Sequence, residues 1–533
     1  MRLDDWFLTL EERGNPHSGI DAHETSRDAW TEGNDVSFLI DGATYFSRLM
    51  EEIAALEAGD QVRFTDWRSD GDERLGDDGP TIRSLVVDTC RRGVDVRGLL
   101  WRSHSDRLAF SAKENRRFGA DVTKAGGQVL LDERVRRGGS HHQKAVLLRH
   151  PSLPERDVAF VGGIDLCHGR RDDGRHRGND QAIKLDERYG PRPPWHDVQL
   201  AVRGPAISDL DRTFRERWED PTPLNYAGLA RSWTSKVMLR DRIASALPVA
   251  LADPPAPGGH AVQVLRTYPA RRPPYPFAPS GERSVARAFV KAVRRARTLI
   301  YIEDQYFWSI EIAEIVASAL RLHPELQLIA VVPRFPDKDG RLSGPPSRLA
   351  QARAIAVVKA AGGSRVGIYD VGNEAGTPIY VHAKVCVIDD VWATVGSDNL
   401  NRRSWTHDSE LSCAVIDSEK DSREPLDPAG LGDGSRKFAR DLRLALWAEH
   451  FGCSPNDPAL LPLESSTRLW EAAGRERDAG ADLNDRAFGS SSRVRSHEVA
   501  PIPRASRLWA RIAYRLIFDP DGRPIALRMK RRF

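Results

Sequence analysis

His382-Ala383-Lys384-Val385-Cys386-Val387-Ile388-Asp389, followed by Val395-Gly396-Ser397-Asp398-Asn399, decides how this chain is read. The residues after His382 alternate as a strand does, and a period of two sends His382 and Lys384 to one face of a sheet. A second copy lies 240 positions earlier: His142-Gln143-Lys144-Ala145-Val146-Leu147-Leu148, then Val161-Gly162-Gly163-Ile164-Asp165. A single His-x-Lys is a short string and usually marks only a hydrogen-bonded histidine. Two copies, each with an apolar strand behind it and a glycine turn after it, point to an internal repeat. An imidazole beside an ammonium suits an anionic phosphorus centre. The lysine neutralises phosphoryl oxygens while the histidine attacks or moves a proton.

Helix and strand patterns alternate around both copies. In the first half, strands are expected near 35–42, 62–67, 94–101 and 128–132, with helices near 51–56, 82–90 and before Gly126-Gly127. In the second, helices over 283–296, 312–322 and 347–361 alternate with strands at 299–302, 326–333 and 366–369; Gly362-Gly363 stops the last helix. This order predicts an α/β fold of two homologous repeats, each a mixed sheet flanked by helices, packed with pseudo-twofold symmetry around one active site. The expected division is a loosely packed lead-in over 1–34, repeat 1 over 35–253, a Pro/Gly linker at 254–260 and repeat 2 over 261–420. A helical extension follows over 421–485, its first part (420–436) a second linker, then a flexible segment with a basic amphipathic tail over 486–533.

With 533 residues, 40% of them hydrophobic, the chain can bury one large core or two domain-sized ones. A net charge of +3 argues against a globally basic nucleic-acid binder, so no nucleic acid is expected as partner. The five cysteines show neither metal spacing nor a paired framework and read as reduced thiols of a cytoplasmic protein. The acidic start Met1-Arg2-Leu3-Asp4-Asp5 lacks a signal-peptide pattern, and no run of about 18 apolar residues is present to span a bilayer. Contact with lipid is therefore expected at an interface, peripherally at the inner membrane face. Near the C-terminus, Arg507, Arg511 and Arg515 recur beside Leu508, Trp509, Ile512 and Leu516. On a helix this is either an interfacial basic stripe or a face that docks on the core. Oligomeric state leaves no signature in the sequence.

The second copy resembles the phospholipase D superfamily, whose signature is His-x-Lys-x4-Asp followed by Gly-Gly or Gly-Ser and a polar residue. It matches at His382, Lys384, Asp389, Gly396, Ser397 and Asn399; the first matches at His142, Lys144, Gly162 and Gly163 but has Arg149 where the aspartate stands. An insertion that moves the aspartate's role to Asp157 is the favoured account. Phe160–Cys167, Pro194-Trp195-His196-Asp197, Ile302-Glu303-Asp304-Gln305-Tyr306-Phe307 and Asp408-Ser409-Glu410-Leu411 are similar to the phosphatidylcholine-type branch. The resemblance implies a phospholipid substrate cleaved to phosphatidic acid through a phosphohistidine, with headgroup exchange as a variant. It implies His142 as nucleophile and His382 as general acid, starting in opposite protonation states. Lys144, Lys384 and Asn399 would hold phosphoryl oxygens. Gly162, Gly163, Gly396 and Ser397 would allow close approach of backbone to phosphate, and Asp165 would do related work or cap its turn. Asp197 and Glu410 would orient the imidazoles, crossing between halves. Tyr306 and Trp308 are candidates for a headgroup pocket, with core packing the other reading. No cofactor and no metal are implied, because the lysines already supply positive charge. The alternatives are a nuclease of the same superfamily and a catalytically silent lipid-binding scaffold.

Overall fold

The computed structural model describes residues 1–23, 28–102, 112–224, 244–337, 343–478, 493–530 and 532–533. Seven strands of the first half are β1 (Thr31–Ile40), β2 (Gln61–Asp66), β3 (Asp95–Trp101), β4 (Gln128–Asp132), β5 (Ala145–Arg149), β6 (Val158–Gly162) and β7 (Val198–Arg203). Seven of the second are β8 (His260–Tyr268), β9 (Leu299–Asp304), β10 (Gln327–Val331), β11 (Val366–Val371), β12 (Lys384–Ile388), β13 (Trp392–Gly396) and β14 (Glu410–Asp417). They lie in one continuous sheet ordered β11-β10-β9-β12-β13-β14-β8-β1-β7-β6-β5-β2-β3-β4. Each strand of the first half has its counterpart seven labels on, and the order reads the same from either edge. The β1–β8 pair is the axis, antiparallel with a register shift between Thr31 and Asn34. Within each half the outer three of these strands are parallel and the inner pairings antiparallel, which makes each half of the sheet mixed.

Most of the strands, β1 excepted, are buried on both faces, as helix-covered sheets require. Val385 and Val387 of β12 enter a core shared by both halves and covered by helices Ala206–Trp218 and Lys437–Phe451. Cys386 and Ile388 enter the opposite core, under helices Ser284–Arg295 and Ile310–Leu322. The corresponding outer core of the first half lies under Gly42–Ala54, Ile82–Arg91 and Ala112–Lys124. Hydroxyl caps start two of these helices: Thr81 accepts from Ser84 N at 3.1 Å and Ser309 from Ile312 N at 3.4 Å. No helix among the described residues is long and apolar enough to cross a membrane.

Three local expectations are corrected. The stretch before β1 is not loose: Trp6, Phe7 and Leu8 are buried, and the buried Arg13 pairs with Asp21 at 2.6 Å. The 420–436 stretch is not a slack linker, since Asp421 and Asp433 are buried against Arg440 and Arg295. Of the segment expected to be flexible, 486–492 lies outside the described residues. Val494–Ser496 adds an antiparallel edge strand, β15, to β11. The polar surroundings of these pieces hide the few apolar or paired groups that fix them.

Candidate active site

Both histidines sit outside the strands that follow them, so the period-two argument does not place them. His382 falls between the short strand Tyr380–Val381 and β12; His142 lies three positions before the start of β5. Each is instead held by the other half. The backbone N–H of His142 donates to Ser409 O at 2.9 Å, and that of His382 to His196 O at 2.8 Å. The residue after each of those carbonyls is an acid. Glu410 Oε2 accepts from His142 Nδ1 at 2.8 Å, and Asp197 Oδ2 from His382 Nδ1 at 2.6 Å. Both carboxylates are fully buried. A bond at Nδ1 leaves Nε2 as the reactive nitrogen of each ring. Trp195 lies 4.8 Å from the His382 ring and Trp67 stands edge-on to His142 at 6.2 Å.

The lysines curl back on their own turns. Lys144 Nζ donates to His142 O at 3.0 Å and lies 3.5 Å from Asp165 Oδ1. Lys384 Nζ donates to His382 O and to Gln305 Oε1, the latter at 3.3 Å. The two pairs share one electrostatic field. Burial, the lysine of its own pair and, more weakly, that of the other half push each histidine well below its ordinary pKa. Burial brings Lys384 down to about 8 and raises Glu410 to about 7. Burial and the lysines thus bias both imidazoles toward the neutral form, and a bound anion would offset that bias.

Asp165 is buried beside Asp66. Burial and Asp165 push Asp66 well above the carboxylate range; burial also disfavours ionised Asp165, but Lys144 and Arg170 overcome it. Lys144, 3.5 Å away, is the counter-ion that favours ionised Asp165. Asn399 is buried and its Oδ1 meets no donor among the described residues. An amide flip would place an N–H group where Oδ1 now lies.

Several assigned roles change. A Cβ on Gly163 would lie 2.0 Å from Asp197 Oδ1, one on Gly396 would lie 1.8 Å from Ser412 Oγ, and one on Gly162 2.5 Å from Val198 O. These glycines make room for neighbouring protein groups, Asp197 above all, instead of for phosphate. Ser397 donates its hydroxyl to Glu410 Oε2 at 2.6 Å and so anchors the carboxylate behind His142. Asp389 is not at the site. It lies at the far end of β12, roughly 16 Å of strand from Lys384, and accepts from the backbone N–H of Arg297, Thr298 and Leu299 at 2.7–2.9 Å. In the first repeat the corresponding turn is fastened by side chains: Asp157 takes Arg149 Nε at 2.6 Å, and His150 Nδ1 meets Asp60 at 2.9 Å next to the start of β2. Arg149 thus departs from the signature where the acid secures a strand junction. Trp308 packs against Phe518 and lies 4.0 Å from Tyr306, both largely enclosed.

Arg170, in a stretch (Arg170-Arg171-Asp172-Asp173) that also resembles the phosphatidylcholine-type branch, was given no role by sequence reasoning; it is buried, stacks 4.0 Å over Trp195 and lies 3.7 Å from Asp165. Sequence reasoning also missed a cluster directly behind Asp197. Asp41, His176, His196 and Glu449 bring four possible ligand atoms within 4.8 Å of one another. His196 Nδ1 lies 2.9 Å from Glu449 and its Nε2 2.7 Å from Glu303, which also takes His450 at 2.8 Å. Burial opposes a charge on His196, but Glu303 and Glu449 outweigh it and lift its pKa well above normal. These residues could hold a divalent cation in place of protons, a set that no local spacing reveals. The ligands come from four separate stretches of chain.

Residues 76–312 match the family model described as Phospholipase D, and residues 290–424 the one described as Cardiolipin synthase, PLD-like domain. Among curated proteins, Phospholipase D alpha 2 of Oryza sativa subsp. japonica is 27% identical over 79% of this chain and 64% of its own length. Phospholipase D gamma 3 of Arabidopsis thaliana is 27% identical over 70% of this chain and 56% of its own. The chain thus spans less than two thirds of these relatives. The solved phosphatidylserine synthase of Haemophilus influenzae aligns over 72% of this chain and 82% of its own, at 13% identity and a TM-score of 0.47.

Proposed function

Because the chain belongs to the phospholipase D superfamily, we propose that it is a phospholipase D, releasing the headgroup of a glycerophospholipid and leaving phosphatidic acid. The observation that carries this reading is the crossed pair of imidazole–carboxylate bonds, His142 with Glu410 and His382 with Asp197. Two Nε2 atoms with fixed tautomers, between two lysines, supply a nucleophile, a proton donor and charge compensation. The phosphodiester anion enters between Lys144 and Lys384, and its charge draws a proton onto His382. His142 Nε2 then forms a bond to phosphorus while the P–O bond to the headgroup breaks, its oxygen taking the proton from His382. Water next gives a proton to His382 and its oxygen to phosphorus, which frees His142. An alcohol in place of water yields the exchanged phosphatidyl ester. The order of roles follows the resemblance to the superfamily, and the mechanism needs only these side chains.

Incubation with phosphatidylcholine vesicles and ethanol tests the reading. It predicts phosphatidic acid and phosphatidylethanol, both lost in His142→Ala and His382→Ala. Nucleotide release from DNA with no lipid product would replace it with a nuclease, and no product from either substrate would leave a scaffold.

A further inference from the structure

We propose that the C-terminal segment is a docking surface for an anionic bilayer, seated at the rim of the active site. Residues 504–533 contain nine basic and two acidic residues, whereas the rest of the chain has 70 basic against 74 acidic. The whole positive excess is therefore local. The helix Arg507–Ala513 continues as a π-turn through Tyr514–Phe518, and a second short helix covers Ile525–Met529. Leu508, Ile512 and Leu516 repeat every four residues on one face, 55–75% exposed, and Ile517, Ile525 and Met529 are exposed with them. Six of the thirteen exposed large hydrophobics among the described residues thus fall within 22 positions. Arg507, Arg511 and Arg515 flank the stripe, also exposed.

The segment is tied down from behind, so this exposure is not a loose end. Ala510 is fully buried, Tyr514 donates to Trp308 O at 3.0 Å, and Arg523 pairs with Glu311 at 2.7 Å. Both acids of the segment are spent internally: Asp519 accepts from Arg403 N at 2.7 Å and Asp521 pairs with Arg523 at 2.8 Å. The anchor points, the end of helix Arg402–Thr406 and the loop at Arg136, lie on the stretches of chain that lead to Glu410 and His142. Gly522 N donates to Thr406 at 2.9 Å, four residues before Glu410, and Gly522 O accepts from Arg136 at 3.0 Å, six residues before His142. A membrane bound here would lie alongside both stretches.

Aliphatic side chains ringed by arginine favour a lipid surface, where acyl chains take the former and anionic headgroups the latter. A second copy of the chain is disfavoured, since a twofold contact would set one basic face against another.

The test is co-sedimentation of the full chain with vesicles of phosphatidylcholine containing roughly a third phosphatidylglycerol, and with pure phosphatidylcholine. Arg507→Glu/Arg511→Glu/Arg515→Glu should weaken binding to the anionic vesicles by roughly 100-fold or more. Leu508→Ser/Ile512→Ser/Leu516→Ser should weaken it by about 10-fold or more. Hydrolysis of bis(p-nitrophenyl) phosphate in solution should be unchanged in both variants. Binding is read without turnover, so it stands or falls apart from the reaction proposed above. The proposal is overturned if the wild-type chain stays in the supernatant, if it pellets equally with neutral vesicles, or if either variant binds as wild type does. Conversion from dimer to monomer in the serine variant would assign the face to a second copy instead.

Discussion

Asp197→Asn isolates the part of the site that the fold, not the motif, supplies. Asp197 Oδ2 accepts from His382 Nδ1 at 2.6 Å, while Oδ1 accepts from Val198 N at 2.9 Å and abuts Gly163. Asparagine keeps the shape. Its oxygen retains the Val198 bond, which turns the NH2 group toward His382. Nδ1 must then accept, the ring flips to the Nε2–H tautomer, and the carboxylate no longer offsets an imidazolium. In a comparable buried imidazole–carboxylate pair, that loss costs roughly 10⁴-fold in kcat. We expect about 10²–10⁴-fold here, because Lys384 and Lys144 remain. Stability should hold or rise slightly, since burial already raises the Asp197 pKa and the neutral amide removes that penalty. The assay compares headgroup release from a phospholipid with release of p-nitrophenol from an aryl phosphodiester. A leaving group that needs no proton should rescue Asp197→Asn if His382 is the acid. It should not rescue Glu410→Gln, which disables the nucleophile. A kcat within about threefold of wild type in a folded Asp197→Asn protein would refute the reasoning, and rescue of the Glu410 variant alone would exchange the roles of the histidines.

Asp389→Ala should cost stability and spare chemistry. It strands three backbone N–H groups, worth about 2–4 kcal/mol in chemical denaturation, while activity per folded molecule stays near wild type. For Lys384, with its pKa near 8, the charged form that grips phosphate is present below that pH and lost above it. Activity should fall through about pH 8, and Lys384→Arg should move that limb upward. Folding stability should move oppositely, rising between the folded value and the unfolded value of roughly 10.4, because the buried site favours the neutral amine. Gly163→Ala drives a methyl into Asp197 Oδ1 and should lower kcat at least about 10-fold, beyond any loss of folded protein measured by melting. An unchanged kcat would show that Asp197 can retreat without releasing His382.

Much of this molecule is written locally. Strands such as Gln327–Val331 and helices such as Ile310–Leu322 lie where their apolar runs and caps place them. The duplicated His-x-Lys is a repeat in the chain before it is a symmetry in space. Other features depend on neighbours that sequence spacing cannot supply. Asp389 belongs to the signature string, yet strand length carries it away from the lysine, where it serves the β9 junction. His382 owes its position to His196 O, 186 residues upstream, and not to a strand period. The cluster of Asp41, His176, His196 and Glu449 draws on stretches that share no local pattern. Sequence alone determined which side chains can attack and neutralise a phosphodiester, because those capacities are intrinsic to imidazole and ammonium. Tertiary structure decided which carboxylate faces which ring and which nitrogen is left to react, because a hydrogen bond depends on ångström-scale placement across the two halves.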